Sequence, residues 1–431
     1  MYHLSKLKNG TTLITVPIKG TEATTVLCMF PIGSRYEDDH IAGSSHFIEH
    51  LMFKGTPKRP TAAEITRLLD SVGAQYNAFT SKEYTSYYVK IAGTKQEVAF
   101  DVLSDMIFNS EFKPEEVEKE KGAIVEELRM YKDNPLMDIE EVFENIMFDS
   151  HPLGRDIGGS EDTVRGVSRQ ELYEFYQKHY SAKNMVLVVA GAIDKKRMKK
   201  FIHYFAEQSS PKNATTPAFY KKHLSTFSWP KEKTALAHRV AVKEKKVDQC
   251  QVMLGFPAVK MYHPDAVATS LLATILGGGM SSRLFTEVRE KRGLAYMVNA
   301  STTKYRDAGI LYVRAGIDPA RLTEALKVIR EELSKIAVHG ATERELRDAQ
   351  NYLIGHMALE LEDSFNQANW FAEKFLFAPK IETYDTLVKK INKVTLKQVN
   401  RLARELIKFD QMRVGAIGPF TKDEFLGMFQ P

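Results

Sequence analysis

At 431 residues the chain exceeds what one hydrophobic core usually organises, so two domains of ordinary size are expected. With 43% hydrophobic and 27% charged residues its composition is that of a globular protein, which excludes a disordered or fibrous chain. The 60 basic residues outnumber the 55 acidic ones by a net charge of only +5, with no basic block to track phosphates, so nucleic acid is not expected as a partner.

From the N-terminus, Met1–Lys8 leads straight into Gly10 and a strand-like Thr11–Val16, leaving no room for a charged segment followed by an apolar signal core. No apolar run, Met185–Ala190 included, is long enough to span a bilayer. A cytoplasmic location without a membrane partner is therefore expected. The next strand, Thr24–Pro31, carries Cys28, and a later one carries Cys250; both are expected to be buried free thiols.

A helix follows between Gly43 and the stop at Gly55–Pro57, and it carries His46, Glu49 and His50. His46 and His50 lie one turn apart and project side by side, so two imidazoles can bind one ion while Glu49 falls beside them. Phe47, Ile48, Leu51 and Met52 make this helix apolar nearly all round, which implies burial. The H-x-x-E-H order is an established metallopeptidase signature, and a chance match in such a chain has a probability on the order of 2%.

Tyr84–Ile91 alternates as a strand, and Pro114–Tyr131 has the pattern of a helix with a stripe of Val117, Ile124, Leu128 and Tyr131. On that helix Glu120 and Glu127 are two turns apart and face the stripe, whereas Glu126 faces away. Burying two carboxylates without a cation is costly, so this pair is expected to supply the third ligand of a zinc ion, one per chain. The ion would lower the pKa of its water to about 7, and Glu49 would act as general base.

Glu207–Thr234 is rich in turn formers and is expected as a linker between segments 1–215 and 232–431. The two segments share landmarks. Val167 and Gly191, bounding a helix and a strand, recur as Val394 and Gly418 at a common offset of 227, and the strand ending at Pro31 recurs at Pro257. The fold expected is therefore α+β: two duplicated domains, each a mostly antiparallel sheet with helices packed on one face.

On His46–His50, Glu120, Glu127, Asn77–Thr85, His151–Arg155, Ser281–Phe285 and Arg289–Tyr296, the chain resembles the pitrilysin-type metallopeptidases from end to end. The resemblance implies that His46, His50 and Glu127 bind zinc, that Glu49 is the base and that Glu120 assists. It also implies that Asn77, Ala78 and Phe79 lie on an edge strand pairing with the substrate backbone. It assigns Arg289 and Tyr296 to holding the substrate and polarising its carbonyl, and it implies a homodimeric chamber whose sites are shared between subunits. Gly277–Gly279 is expected to be a turn. An endopeptidase acting on peptides or unfolded segments with soft preferences is the leading expectation. The alternatives are a non-catalytic peptide-binding scaffold and a subunit that needs a different partner chain.

Overall fold

The computed structural model describes residues 2–222, 224–230 and 234–429, and among these the apolar alternation folds into two sheets. The first contains β1 (His3–Lys6), β2 (Thr12–Pro17), β3 (Ala23–Phe30), β4 (Gln75–Thr80), β5 (Thr85–Ala92) and β6 (Val186–Gly191) in the order β1-β2-β6-β3-β5-β4. The second contains β7 (Val240–Glu244), β8 (Cys250–Ala258), β9 (Ala295–Lys304), β10 (Gly309–Ile317) and β11 (Arg413–Gly418) in the order β7-β11-β8-β10-β9. With β1 set aside the two orders are the same. The pairing sense agrees too, since β2–β6 and β7–β11 are parallel and the other pairs of both sheets are antiparallel. The duplication inferred from one sequence offset is thus a duplication of topology.

The helices that matter to the first sheet are α1 (Ser44–Leu51), α2 (Ala62–Ser71), α3 (Gln96–Asn109) and α4 (Pro114–Asp133); α5 (Pro135–Phe148) follows. Contacts divide the chain into two units. One comprises Met1–Arg129, Arg155–Ser225 and Leu359–Ile381, and the other Met130–Gly154, Thr226–Ala358 and Glu382–Pro431. The units therefore depart from the continuous segments 1–215 and 232–431, because each half gives a helical stretch to the other unit. The two stretches are equivalent in the repeat, with Pro135 of α5 and Ser364 of the helix Ser364–Phe377 offset by 229 positions.

The physical reason lies in the strands. In β3, Val26, Cys28 and Phe30 face one way, into a core with Phe47, Leu69, Leu103 and Ile124 of α1 to α4. Leu27 and Met29 face the other way and meet Ala368, Phe371, Ala372 and Leu376 of Ser364–Phe377. A strand apolar on both sides needs cover on both. The layer expected on one face of the sheet is thus joined by a single helix on the opposite face.

The second unit repeats this arrangement, with Ile139, Phe143 and Met147 of α5 packed on Met253, Ile310 and Ile417. The approach is close enough that glycine is required: a Cβ on Gly255 would lie 2.3 Å from the Phe143 ring, and one on Gly415 would lie 3.1 Å from the Phe143 Cα. Cys28 and Cys250 are free and buried, as expected. Glycines 277–279 end the helix Ala266–Gly277 in a turn. Among the described residues no helix is long and apolar enough to cross a membrane.

The expected linker is largely docked. Tyr220, in the helix Pro217–Lys222, is buried in the first unit with its hydroxyl 2.6 Å from His179 Nδ1 and accepting from Asn184 at 2.9 Å. Phe227 and Trp229 pack on Phe148 in the second unit. Residues 223 and 231–233 of this stretch lie outside the described residues.

Candidate metal centre

The entry to α1 is unusual. Its N-cap, Gly43, has φ +98° and offers no side chain, and a Cβ there would meet the Gly158 carbonyl at 2.4 Å. The cap comes from elsewhere: the buried Glu37 carboxylate accepts the Gly43 N–H at 2.7 Å and the Ser45 N–H at 2.6 Å. Burial raises the Glu37 pKa, against the lowering effect of these bonds. Arg155, in the His151–Arg155 motif, donates to the Glu37 carbonyl at 2.7 Å, and Lys82 donates to the Arg155 carbonyl. Arg35, next to that loop, forms a buried ion pair with Glu83 at 2.9 Å. Arg155 and Lys82, from two of the sequence motifs, thus help to hold the start of the His-bearing helix.

From α1, His46 and His50 present their rings inclined at 72° with centroids 4.7 Å apart. From α4, Glu127 Oε2 reaches His50 Nε2 at 3.3 Å and His46 Nε2 at 3.7 Å. Ligand atoms of the three residues all lie within 4.8 Å of one another, and among the described residues no other group of His, Cys, Asp and Glu converges in this way. Ligands about 2.0–2.1 Å from a tetrahedral zinc would sit roughly 3.3–3.4 Å apart, near the 3.3 and 3.7 Å between Glu127 and the two imidazoles, so the donor set fits such an ion once the side chains close on it.

Glu120, 3% exposed, accepts from His50 Nδ1 at 3.1 Å, and this fixes the ring so that Nε2 faces Glu127. Burial pulls His50 down, but hydrogen bonds to Glu120 and Glu127 outweigh it and hold the imidazole up at about 9. A metal must displace that proton. Burial lowers His46, and the neighbouring His50 lowers it further, which favours the neutral ligand form. For Glu120, burial acts upward and is outweighed by His50 and Lys54, leaving its carboxyl below the usual range.

Glu49 stands beside these ligands with its Oε2 accepting from the Thr80 hydroxyl at 2.6 Å. Burial raises its pKa, opposed by the Thr80 bond and by His50. Thr80 ends β4, an edge strand with β5 as its partner, and Asn77, Ala78 and Phe79 precede it there. Ala78 is buried and Asn77 exposed, while Phe79 packs edge-on against Tyr84 and Phe365.

Glu126 projects outward and pairs with Arg129, as its helical position predicts. Tyr131 departs from its expected place in the buried stripe of α4 and is 37% exposed. Glu37 and Thr80 were not singled out from the sequence. Glu37 lies six residues before Gly43 in an acidic loop, outside any local capping pattern, and Thr80 is an ordinary strand residue until the fold brings it to Glu49.

In the second unit, Arg289 and Tyr296 come together. Arg289 lies on the single π-helical stretch among the described residues, Phe285–Glu290, with its guanidinium 5.3 Å from the Tyr296 ring centre. Tyr296 is 72% exposed on β9, the edge strand equivalent to β4. The helix Ala266–Gly277 follows β8 as α1 follows β3, and it carries neither His nor Glu.

Residues 14–161 match the family model described as Insulinase (Peptidase family M16), and residues 166–353 match the one described as Peptidase M16 inactive domain. The chain belongs to peptidase family M16. This M16 chain is 35% identical over 93% of its length to an uncharacterized zinc protease of Streptomyces coelicolor, covering 86% of it. It is 33% identical to one of Bacillus subtilis over 93% of its own length and 91% of the other. Its fold matches a crystal structure of a protease from Helicobacter pylori with a TM-score of 0.87 at 24% identity, covering 97% of this chain and 100% of that one. The model described as inactive covers Ala266–Gly277, the counterpart of α1, which carries neither His nor Glu.

Proposed function

We propose that this M16 chain is a zinc-dependent endopeptidase with one ion per chain, bound by His46 Nε2, His50 Nε2 and a Glu127 oxygen. The observation that carries the reading is the convergence of these three ligands beside a carboxylate, Glu49, that does not join them. Bound zinc supplies a Lewis acid that acidifies water and polarises the scissile carbonyl. Glu49 takes the proton from the attacking water and returns it to the leaving amine. Thr80 holds Oε2 of Glu49 and so orients the carboxylate for that transfer. The free edge of β4 at Asn77–Phe79 takes the substrate as an added strand, which gives soft side-chain preferences because backbone groups make the bonds.

Thr80→Val is expected to lower kcat about tenfold with KM unchanged, the effect of one hydrogen bond to a charged group, and Thr80→Ser to keep most of the rate. Steady-state kinetics on one quenched-fluorescent peptide checks both.

The reading includes a homodimer in which Arg289 and Tyr296 of the partner subunit bind the substrate and stabilise the developing oxyanion. It is supported by the family resemblance and by the exposure of Tyr296 beside Arg289. Glu49→Gln and Tyr296→Phe chains, each inactive alone, are expected to recover about a quarter of wild-type activity after mixing and subunit exchange, since half of the dimers then hold one intact site. A mixture that stays inactive after demonstrated exchange contradicts shared sites.

A further inference from the structure

We propose that Lys54 is a positioning residue for the metal centre, acting through Glu120 to set the His50 imidazole for zinc. The proposal rests on the reading of His46, His50 and Glu127 as metal ligands.

Lys54 follows α1 in the turn that leaves it, with its N–H donated to the Leu51 carbonyl at 3.0 Å. The loop beyond is fastened to α3, where Asp105 accepts from Thr56 at 2.7 Å and from Arg59 at 2.5 Å. Anchored in this way, Lys54 brings Nζ to 2.5 Å from Glu120 Oε1, while Glu120 Oε2 is taken by His50 Nδ1 at 3.1 Å. Both oxygens of a buried carboxylate are thus assigned, one to the lysine and one to the metal-facing histidine.

Charge leads to the same conclusion. Glu49, Glu120 and Glu127 flank the two imidazoles and Asp156 also acts on His46, so the carboxylates outweigh a bound dication and leave net negative charge at a partly buried site. Lys54 supplies the compensating positive charge at the one carboxylate of the three that is neither ligand nor base. Without it, Glu120 would keep a single partner and could turn from His50, releasing the ring from the tautomer and rotation that direct Nε2 to the ion.

The test is zinc affinity of the full-length chain, measured by competition with a chromophoric chelator for wild type, Lys54→Met, Lys54→Arg, Glu120→Gln and the Lys54→Met/Glu120→Gln double variant. Lys54→Met is expected to bind zinc about 10–100-fold more weakly, with Lys54→Arg recovering most of the loss because it keeps the ion pair. The double variant is expected to bind no more weakly than Glu120→Gln alone, because the lysine acts through that carboxylate. Fully additive losses, or Lys54→Met binding as tightly as wild type, overturn the role of Lys54 and leave the ligand assignment standing. A wild-type chain that holds no zinc overturns both.

Discussion

Glu49→Gln is expected to lower kcat by about a thousand-fold while leaving bound zinc unchanged, the magnitude of losing a positioned general base. The substitution is close to isosteric, and the amide oxygen can still accept from Thr80 Oγ1, so the side chain stays where the carboxylate was. Glu49 contributes nothing to the group of ligand atoms, so metal content should not fall. The pH profile follows in sign. The base must be ionised to take a proton, so activity should decline on the acid side as Glu49 protonates, with burial acting to raise its pKa and the Thr80 bond and a bound dication acting to lower it. Peptide hydrolysis, measured with zinc content by atomic absorption on the same preparation, checks both parts.

Glu127→Gln is expected to have the opposite signature, with activity and metal lost together. A neutral amide is a poor substitute for the one anionic ligand among two imidazoles, and affinity for zinc should drop by at least about a hundred-fold. Its neighbour Glu126 supplies the control. That side chain is largely exposed and paired with Arg129 on the outer side of α4, so Glu126→Gln should retain both zinc and activity. Equal behaviour of the two variants in a metal-binding titration would remove Glu127 from the site.

The contrast between these neighbours was legible in the sequence because helical period alone separates them, and the same period paired Glu120 with Glu127 and His46 with His50. The duplicated topology was legible from one repeated offset. What could not be read depended on contacts between segments far apart in the chain. The burial of α5 and Ser364–Phe377 follows from their apolar stripes, but nothing local says that each covers the sheet built by the other half. Glu37 caps α1 from a loop, and Arg155 steadies that loop from a segment more than a hundred residues later. Tyr131 continues the period of α4 past the point where the core ends, which is why the pattern overstates its burial.

The most direct test of the central claim is hydrolysis of a mixed peptide set by the purified chain in three states: zinc-loaded, stripped by chelator, and reloaded with zinc. The account predicts cleavage at several unrelated sequences in the first state, none in the second, and recovery in the third. A zinc-loaded chain that binds metal yet cleaves no peptide would contradict it.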